Sequence, residues 1–288
     1  MKHLEEIKTK LDRLGKESGL KATESGDPIP SRVEIRYLVM DILSVLFPNY
    51  FAPKKDASLS LIEARLARQI AMACHFSDHE VSLDPEDTAR EFVEQLPEIK
   101  RLLLTDIEAL YEGDPAAKIR DEVIICYPGF YAIAVYRMAH VLYEMGVPLL
   151  YRMMTEYAHE RTGVDIHAGA KIGEYFFIDH GTGIVIGETT TIGDHAKLYQ
   201  GVTLGAKSFE LDENGNPIKN IKRHPNIGNN VVIYANATIL GGRTFIGDNS
   251  IIGASTWIIE SVPEGSRVFY SADTAKAMEF WGDYGSGI

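Results

Sequence analysis

The chain has 288 residues, 45% of them hydrophobic and 24% charged, with a net charge of −12, figures that exclude disordered, collagenous and fibrous classes. No apolar run approaches the roughly 20 residues of a bilayer span, the start MKHLEEIKTK lacks a signal-peptide layout, and the acidic balance argues against nucleic acid or an anionic membrane as partner, so a cytoplasmic protein is expected. Cys74 and Cys126 stand far apart with no C-x-x-C, which encodes neither a disulfide framework nor a cysteine zinc knot, and both are expected as reduced, buried thiols.

Residues 1–30 read as a polar extension, a short helix followed by a link of turn formers (KESGLKATESGDP). From Ser31 to Phe47 the apolar residues Val33, Tyr37, Met40, Ile42, Leu43 and Leu46 recur at spacings of three and four, which predicts an amphipathic helix stopped by Pro48. Similar stripes over 61–74, 88–96, 97–111, 115–125 and 127–144 predict a helical bundle filling 31–163. Asp114-Pro115 has the form of a helix start, an acid accepting backbone N–H groups before a proline at the first helical position. His75 and His79 would share a helix face, but zinc needs a third ligand and Cys74 points about 100° away, so solvated or capping histidines are expected. The stretch YPGFYAIAVYRMAHVLYEMGVPLLYRMM is expected as a packed seam in the core or at a subunit contact.

After Gly163 the pattern changes to a period of six. Isoleucine or leucine stands at 166, 172, 178 and 184, after a two-residue slip at 186, 192, 198 and 204, then at 227, 233 and 239, and after one extra residue at 246, 252 and 258. Four residues beyond each, the side chain is mostly small or branched (Ala170, Thr182, Thr190, Ala196, Val202, Val231, Ala237, Ser250, Thr256). Neither helix nor alternating strand has this period. A coil of three flat six-residue sides does, each side sending one aliphatic residue inward onto its like in the coils above and below. The fold class expected is therefore α+β, an N-terminal α-helical bundle followed by a left-handed parallel β-helix over 164–262, with a C-terminal tail over 263–288. A β-sandwich fails for want of turns at 8 to 12 spacing. Residues 164–270 carry 11 acids and 8 bases, so most of the negative charge lies outside the prism.

Residues 206–225 interrupt the hexads and must leave the prism as a loop. Its outgoing arm is acidic (Glu210, Asp212, Glu213) and its returning arm basic (Lys219, Lys222, Arg223), which predicts a hairpin whose arms attract each other. Three ionisable clusters stand where hexads do not ask for them: Asp165-Ile166-His167, Asp179-His180-Gly181 and Arg223-His224-Pro225. A carboxylate hydrogen-bonded to a histidine makes a general base near neutral pH. Polar turn residues on the prism surface are the other reading, and spacing leaves both open.

The runs VDIHAGAKIGEYFFIDHGTGIVIGETTTIGDHAKLYQGVTLGA and RHPNIGNNVVIYANATILGG resemble the catalytic domain of the serine O-acetyltransferases, members of the hexapeptide-repeat acyltransferases. The elements DIH, DHGTGIVIGET and RHP come in the family's order, and the slip between Ile184 and Ile186 falls where the family has it. The resemblance covers about Tyr127 to Pro263 closely and the helical half more loosely. It implies transfer of the acetyl group of acetyl-CoA to the hydroxyl of L-serine, the first step of cysteine biosynthesis. In that reading His180 is the general base and Asp165 orients it, Asp179 and Asp114 hold the serine ammonium, and Arg223 and His224 receive its carboxylate. An amino acid is a zwitterion, and carboxylates at one end with a guanidinium at the other suit it. The N–H groups of Gly205 and Ala206 are candidates for the thioester oxyanion, Lys207 for the nucleotide phosphates, and the small residues Ala235 and Ala254 for the pantetheine path. No metal is expected. The resemblance further implies a site between adjacent prisms of a homotrimer, pairing of trimers through the helical halves, L-cysteine as feedback inhibitor, and capture of the tail WGDYGSGI, ending in Ile288, by O-acetylserine sulfhydrylase.

Three features depart from the family: the 206–225 excursion replaces a short glycine-rich segment, FYSADTAKAM replaces an A-G-x-P-A-R ending, and the extension before Ser31 has no clear counterpart. A sugar or amino-sugar acyltransferase would keep His180 but has no use for Asp179 and Arg223 bracketing a zwitterion. A zinc lyase of the γ-carbonic anhydrase kind would need His167, His180, His195 and His224 to supply converging imidazoles, and the H-x4-H spacing associated with it is absent. A scaffold binding partners only through its tail leaves the D-H and R-H pairs unexplained.

Overall fold

The structure, a computed structural model, describes residues 2–19, 29–51, 58–77 and 81–269. Residues 270–288 of the predicted tail, with Ile288, and His79 of the imagined metal pair fall outside these residues, whereas 263–269 of that tail are described and carry a last strand of the solenoid. Helices come first: α1 (Lys2–Glu17), α2 (Arg32–Leu46), α3 (Leu59–Phe76), α4 (Pro85–Glu94), α5 (Leu96–Gly113), α6 (Arg120–Cys126), α7 (Pro128–Glu144) and α8 (Leu150–Thr162). Among the described residues no helix is long and apolar enough to cross a membrane.

The chain divides into two compact units, Met1–Leu103 with Ile133–Glu160, and Leu104–Ala132 with Arg161–Ile288. In the first, Ser31 caps α2 by accepting from the Glu34 N–H and Asp84 caps α4 ahead of Pro85. Packing of α3 against α2 and α4 buries Ile42, Leu43, Ile62, Ile70 and Phe92 almost completely.

The second unit carries the solenoid. Its first coil comprises β1 (Asp165–Ile166), β2 (Lys171–Ile172) and β3 (Phe177–Asp179), and its second β4 (Val185–Ile186), β5 (Thr191–Ile192) and β6 (Lys197–Tyr199). The third comprises β7 (Thr203–Gly205), β8 (Asn226–Ile227) and β9 (Val232–Ile233), and the fourth β10 (Thr238–Leu240), β11 (Phe245–Ile246) and β12 (Ile251–Ile252). β13 (Trp257–Ile258) and β14 (Arg267–Val268) close the stack. Parallel pairing forms three sheets: A (β1-β4-β7-β10-β13), B (β2-β5-β8-β11) and C (β3-β6-β9-β12-β14). This is the left-handed parallel β-helix that the hexads predict. The register stacks like on like, Ile166, Ile186, Leu204, Ile239 and Ile258 in sheet A and Ile172, Ile192, Ile227 and Ile246 in sheet B. All fourteen hexad residues are buried except Ile172, which is half-buried.

Pairing partners lie 20 residues apart between the first two coils (Asp165↔Val185) and 18 between the next two (Val185↔Thr203). The two extra residues widen the corner from His180 to Ile184. Segment 104–132 is packed tightly onto this coil. The fully buried Asp106 carboxylate accepts the Phe176 N–H at 3.0 Å and the Thr105 hydroxyl accepts the Tyr175 N–H. A side chain at Gly113 would strike the Phe177 ring at 2.5 Å, and one at Gly129 the Ile178 carbonyl at 2.6 Å. Glycine thus lets the end of α5 and the start of α7 lie against β3.

Three local expectations are corrected. No helix starts at Pro115: the Asp114 carboxylate accepts the Ala116 N–H in a turn, and α6 begins at Arg120. Cys126, at the exposed end of α6, is exposed, and Cys74 is half-buried. The excursion does form a hairpin, with Ile218 N–H on Glu210 O and a bridge between Leu211 and Pro217. Its basic arm, however, turns inward, Lys222 to the Thr189 carbonyl and Arg223 to Glu188, rather than to the acidic arm.

Candidate functional site

The predicted site residues fall into two groups on two edges of the prism. The first lies where the chain passes from sheet C to sheet A in the first coil. His180 sits on the widened corner at φ 57°, a left-handed conformation sparsely populated by residues other than glycine, with its side chain 69% exposed. The corner therefore presents the imidazole to solvent. Its Nε2 lies 3.6 Å from Asp179 Oδ1.

Asp114 joins this group from the segment packed on β3. Its Oδ2 accepts the Tyr127 hydroxyl at 2.5 Å and its Oδ1 the Ala116 N–H at 2.8 Å. The Tyr127 hydrogen bond, then the Ala116 N–H, hold the Asp114 carboxyl below its usual range, with the nearby His180 contributing. Burial and the Asp114 carboxylate push the Tyr127 phenol up, so it stays a donor. Two anionic groups and an imidazole thus share one edge. Asp165 lies under the same corner, since Gly183 N–H bonds Gly163 O and Asp165 N–H bonds Ile184 O, but among the described residues no hydrogen bond joins its carboxylate to His180.

The second group lies where sheet A passes to sheet B, spread over three coils. His167 is on the first coil, Glu188 and Thr189 on the second, Arg223 and His224 on the third. The Arg223 guanidinium pairs with Glu188 and also donates to the Ile221 carbonyl. The buried His224 has its Nδ1 3.0 Å from the Thr189 N–H and 2.9 Å from the Thr189 hydroxyl. Burial, then the positive charges of Arg223 and Lys222, lower its pKa to about 4, against the opposing pull of Glu188. The imidazole lies flat against Gly187, where a β-carbon would come within 2.1 Å of its Cδ2.

Among the described residues no hydrogen bond or ion pair links the two groups. Gly205 ends β7 and Ala206 starts the excursion on the second edge. Lys207 lines a cleft of about 430 Å³ there, together with Lys222, Arg223 and Arg243 and the apolar Phe209, Ile218 and Ile259. Ala235 and Ala254 lie on the first edge, one and two coils above Gln200, stacked over the His180 corner. His195 is on the third edge, stacked on Tyr175 at 4.4 Å between ring centroids. The four prism histidines are thus distributed over three edges, and among the described residues no three His, Cys, Asp or Glu are placed to hold a metal ion.

Tyr127, Gly187, Glu188 and Thr189 did not emerge as site residues from the sequence. Gly187 repeats the glycine that follows many hexad isoleucines, and Glu188-Thr189 reads as a polar corner; only their place in the block that also holds His180 singles them out.

No protein-family model matches the chain. It is 45% identical over 266 residues to a plasmid-encoded serine acetyltransferase of Synechococcus elongatus, covering 84% of this chain and 82% of that one. It is 46% identical over 163 residues to the serine acetyltransferase of Mycobacterium tuberculosis, covering 57% of this chain and 67% of that one. Among solved structures it is similar to serine acetyltransferase 1 of Entamoeba histolytica in complex with L-cysteine, at 36% identity and a TM-score of 0.69 over 91% of this chain and 97% of that one. A serine acetyltransferase of Neisseria gonorrhoeae in complex with serine aligns at 29% identity and a TM-score of 0.58, over 84% and 93% of the two chains. With its β-helix, its Asp-His and Arg-His corners and this extent of likeness, the chain belongs to the serine acetyltransferase family.

Proposed function

We propose that the chain transfers the acetyl group of acetyl-CoA to the hydroxyl of L-serine at a site assembled from two chains. The observation that carries this reading is the division of charge: Asp114, Asp179 and His180 occupy the C/A edge, Arg223 and His224 the A/B edge, and both edges bound sheet A. A serine zwitterion needs both ends. A neighbouring copy that brings its A/B edge to the C/A edge of this one completes the pocket, and repetition of that heterologous contact closes a homotrimer with the three A sheets facing the axis.

In this pocket Asp114 and Asp179 hold the ammonium, and the neighbour's guanidinium and imidazole hold the carboxylate. The serine hydroxyl, whose own pKa is far above 7, then needs a base, and His180 takes its proton as the oxygen attacks the thioester carbonyl. The tetrahedral intermediate collapses, the C–S bond breaks, and the same proton passes from His180 to the CoA thiolate. Asp165, beneath the corner, orients the imidazole once the neighbour has closed over it. Of the two backbone donors expected there, the Gly205 N–H is committed to the β7–β10 ladder, and the Ala206 N–H just past β7 is the one offered to the developing oxyanion. The cations of the cleft by Lys207 suit the CoA phosphates, and Ala235 and Ala254 leave room for the pantetheine arm along the His180 edge. L-Cysteine, nearly isosteric with serine, occupies the same zwitterion pocket as an inhibitor. Acetyl-CoA and serine meet in the cytoplasm, where this reading puts the enzyme.

The test is release of free CoA thiol from acetyl-CoA by purified protein. L-Serine is expected to accelerate it well above water alone, and His180→Ala to remove that acceleration. Release independent of serine, or unchanged in His180→Ala, overturns the reading.

A further inference from the structure

The hydroxyl of Thr189 sits at the centre of the second group, and its hydrogen-bond capacity can be counted. The hydroxyl oxygen accepts the backbone N–H of Arg223 at 3.0 Å and that of His224 at 3.0 Å. A hydroxyl has two lone pairs and one hydrogen. With both lone pairs taken, its hydrogen is left for the one other neighbour at bonding distance among the described residues, Nδ1 of His224 at 2.9 Å. Independently, the Thr189 backbone N–H, which has no acceptor capacity, points at the same Nδ1 from 3.0 Å. Two donors on one ring nitrogen require that nitrogen to carry a lone pair, and a neutral imidazole with its lone pair on Nδ1 carries its proton on Nε2.

We propose that Thr189 is a positioning residue that locks His224 as its neutral Nε2–H tautomer, so that the carboxylate-binding edge offers one neutral N–H donor beside the single charge of Arg223. The inference rests on the reading of this edge as the substrate-carboxylate pocket. Among the described residues Nε2 has no hydrogen-bond partner within the chain, so its N–H is available to a ligand. One face of the ring lies on Gly187, which bounds it on that side.

The charged groups around it favour the neutral form. Arg223 and Lys222 on the returning arm, and His167 on the coil below, oppose protonation, while Glu188 is paired with Arg223. The neighbouring dipeptide partner Glu188 thus aims the guanidinium, and Thr189 aims the imidazole. A second cation at His224 would bind a carboxylate with less directional preference and would repel Arg223. A neutral donor fixed at one angle distinguishes a planar carboxylate from other anions.

The test uses the full-length protein with 15N-labelled histidine and reads the two-bond 15N–1H correlations of the imidazoles, with the His224 signal assigned by its loss in His224→Asn. In the wild type at pH 7 the Nε2–H pattern is expected, persisting to about pH 5.5. A charged ring or an Nδ1–H pattern at pH 7 overturns the proposal without bearing on acetyl transfer. In Thr189→Val the signal is expected to shift toward tautomer exchange, with a roughly tenfold rise in KM for serine and kcat within about threefold. Thr189→Ser is expected to restore both the signal and KM. A serine variant as impaired as the valine variant, or a valine variant with the wild-type signal and KM, also overturns it. Absence of any serine-dependent turnover would remove the proposed function and leave the tautomer measurement standing.

Discussion

Replacement of Gly187 by alanine tests the geometry of the Arg223-His224 edge with one methyl group. The added β-carbon would lie 2.1 Å from Cδ2, 2.3 Å from Nε2 and 2.6 Å from Cγ of His224, each well inside van der Waals contact. The imidazole must therefore move by more than an ångström, and among the described residues it is anchored by the two hydrogen bonds that Thr189 makes to Nδ1. Losing both costs about 1 kcal/mol each, and residual overpacking adds about 1 kcal/mol, for a total of about 3 kcal/mol. For a chain of this size that lowers the melting temperature by about 6–12 °C. Thermal unfolding followed by circular dichroism gives the stability, and CoA release at varied serine gives KM, expected to rise at least tenfold. Gly15→Ala, whose β-carbon meets nothing within 4 Å in α1, is the control and should be neutral or slightly stabilising. A Gly187→Ala protein with the melting temperature and serine KM of the wild type would refute the packing of His224 on this glycine.

Tyr127→Phe removes the donor that holds Asp114 and is expected to raise the serine KM about tenfold with little change in kcat; equal serine titration curves would contradict a substrate role for this pair. Asp106→Ala leaves the buried Phe176 N–H without its acceptor and should cost about 2 kcal/mol, read as a lower melting temperature. His224 has a folded pKa depressed to about 4 against about 6.5 when unfolded, so it contributes stability that is full above pH 6.5 and is lost as pH falls from there toward 4. The loss is about 1–2 kcal/mol after solvent screening and should be absent from the pH–stability curve of His224→Asn, whereas identical curves would refute it.

The solenoid was legible because its constraint repeats: every inward position must carry an aliphatic side chain, and register then stacks Ile166 to Ile258 without exception in sheet A. The two-residue slip, visible as Ile184 to Ile186, was legible too, and it widens the corner that exposes His180. Asp114-Pro115 misled because a capping acid before proline serves a turn as well as a helix, and here the Asp114 carboxylate and carbonyl accept the Ala116 and Ala117 N–H groups in a turn. The attraction expected between the excursion's arms was outweighed by partners 33 to 35 residues back in the chain, the Thr189 carbonyl and Glu188. The Thr189 lock was hidden for the same reason. It joins a residue to others 34 and 35 positions later, a separation set by the excursion inside the third coil and by no local pattern.

The central claim is that each site takes its carboxylates and base from one chain and its guanidinium from another. His180→Ala and Arg223→Ala chains, each inactive alone, can be unfolded together in equal amounts and refolded. Random assembly into trimers leaves about one site in four with both edges intact, so serine-dependent CoA release should return to about a quarter of the wild-type rate. A mixture as inactive as its components would contradict the account.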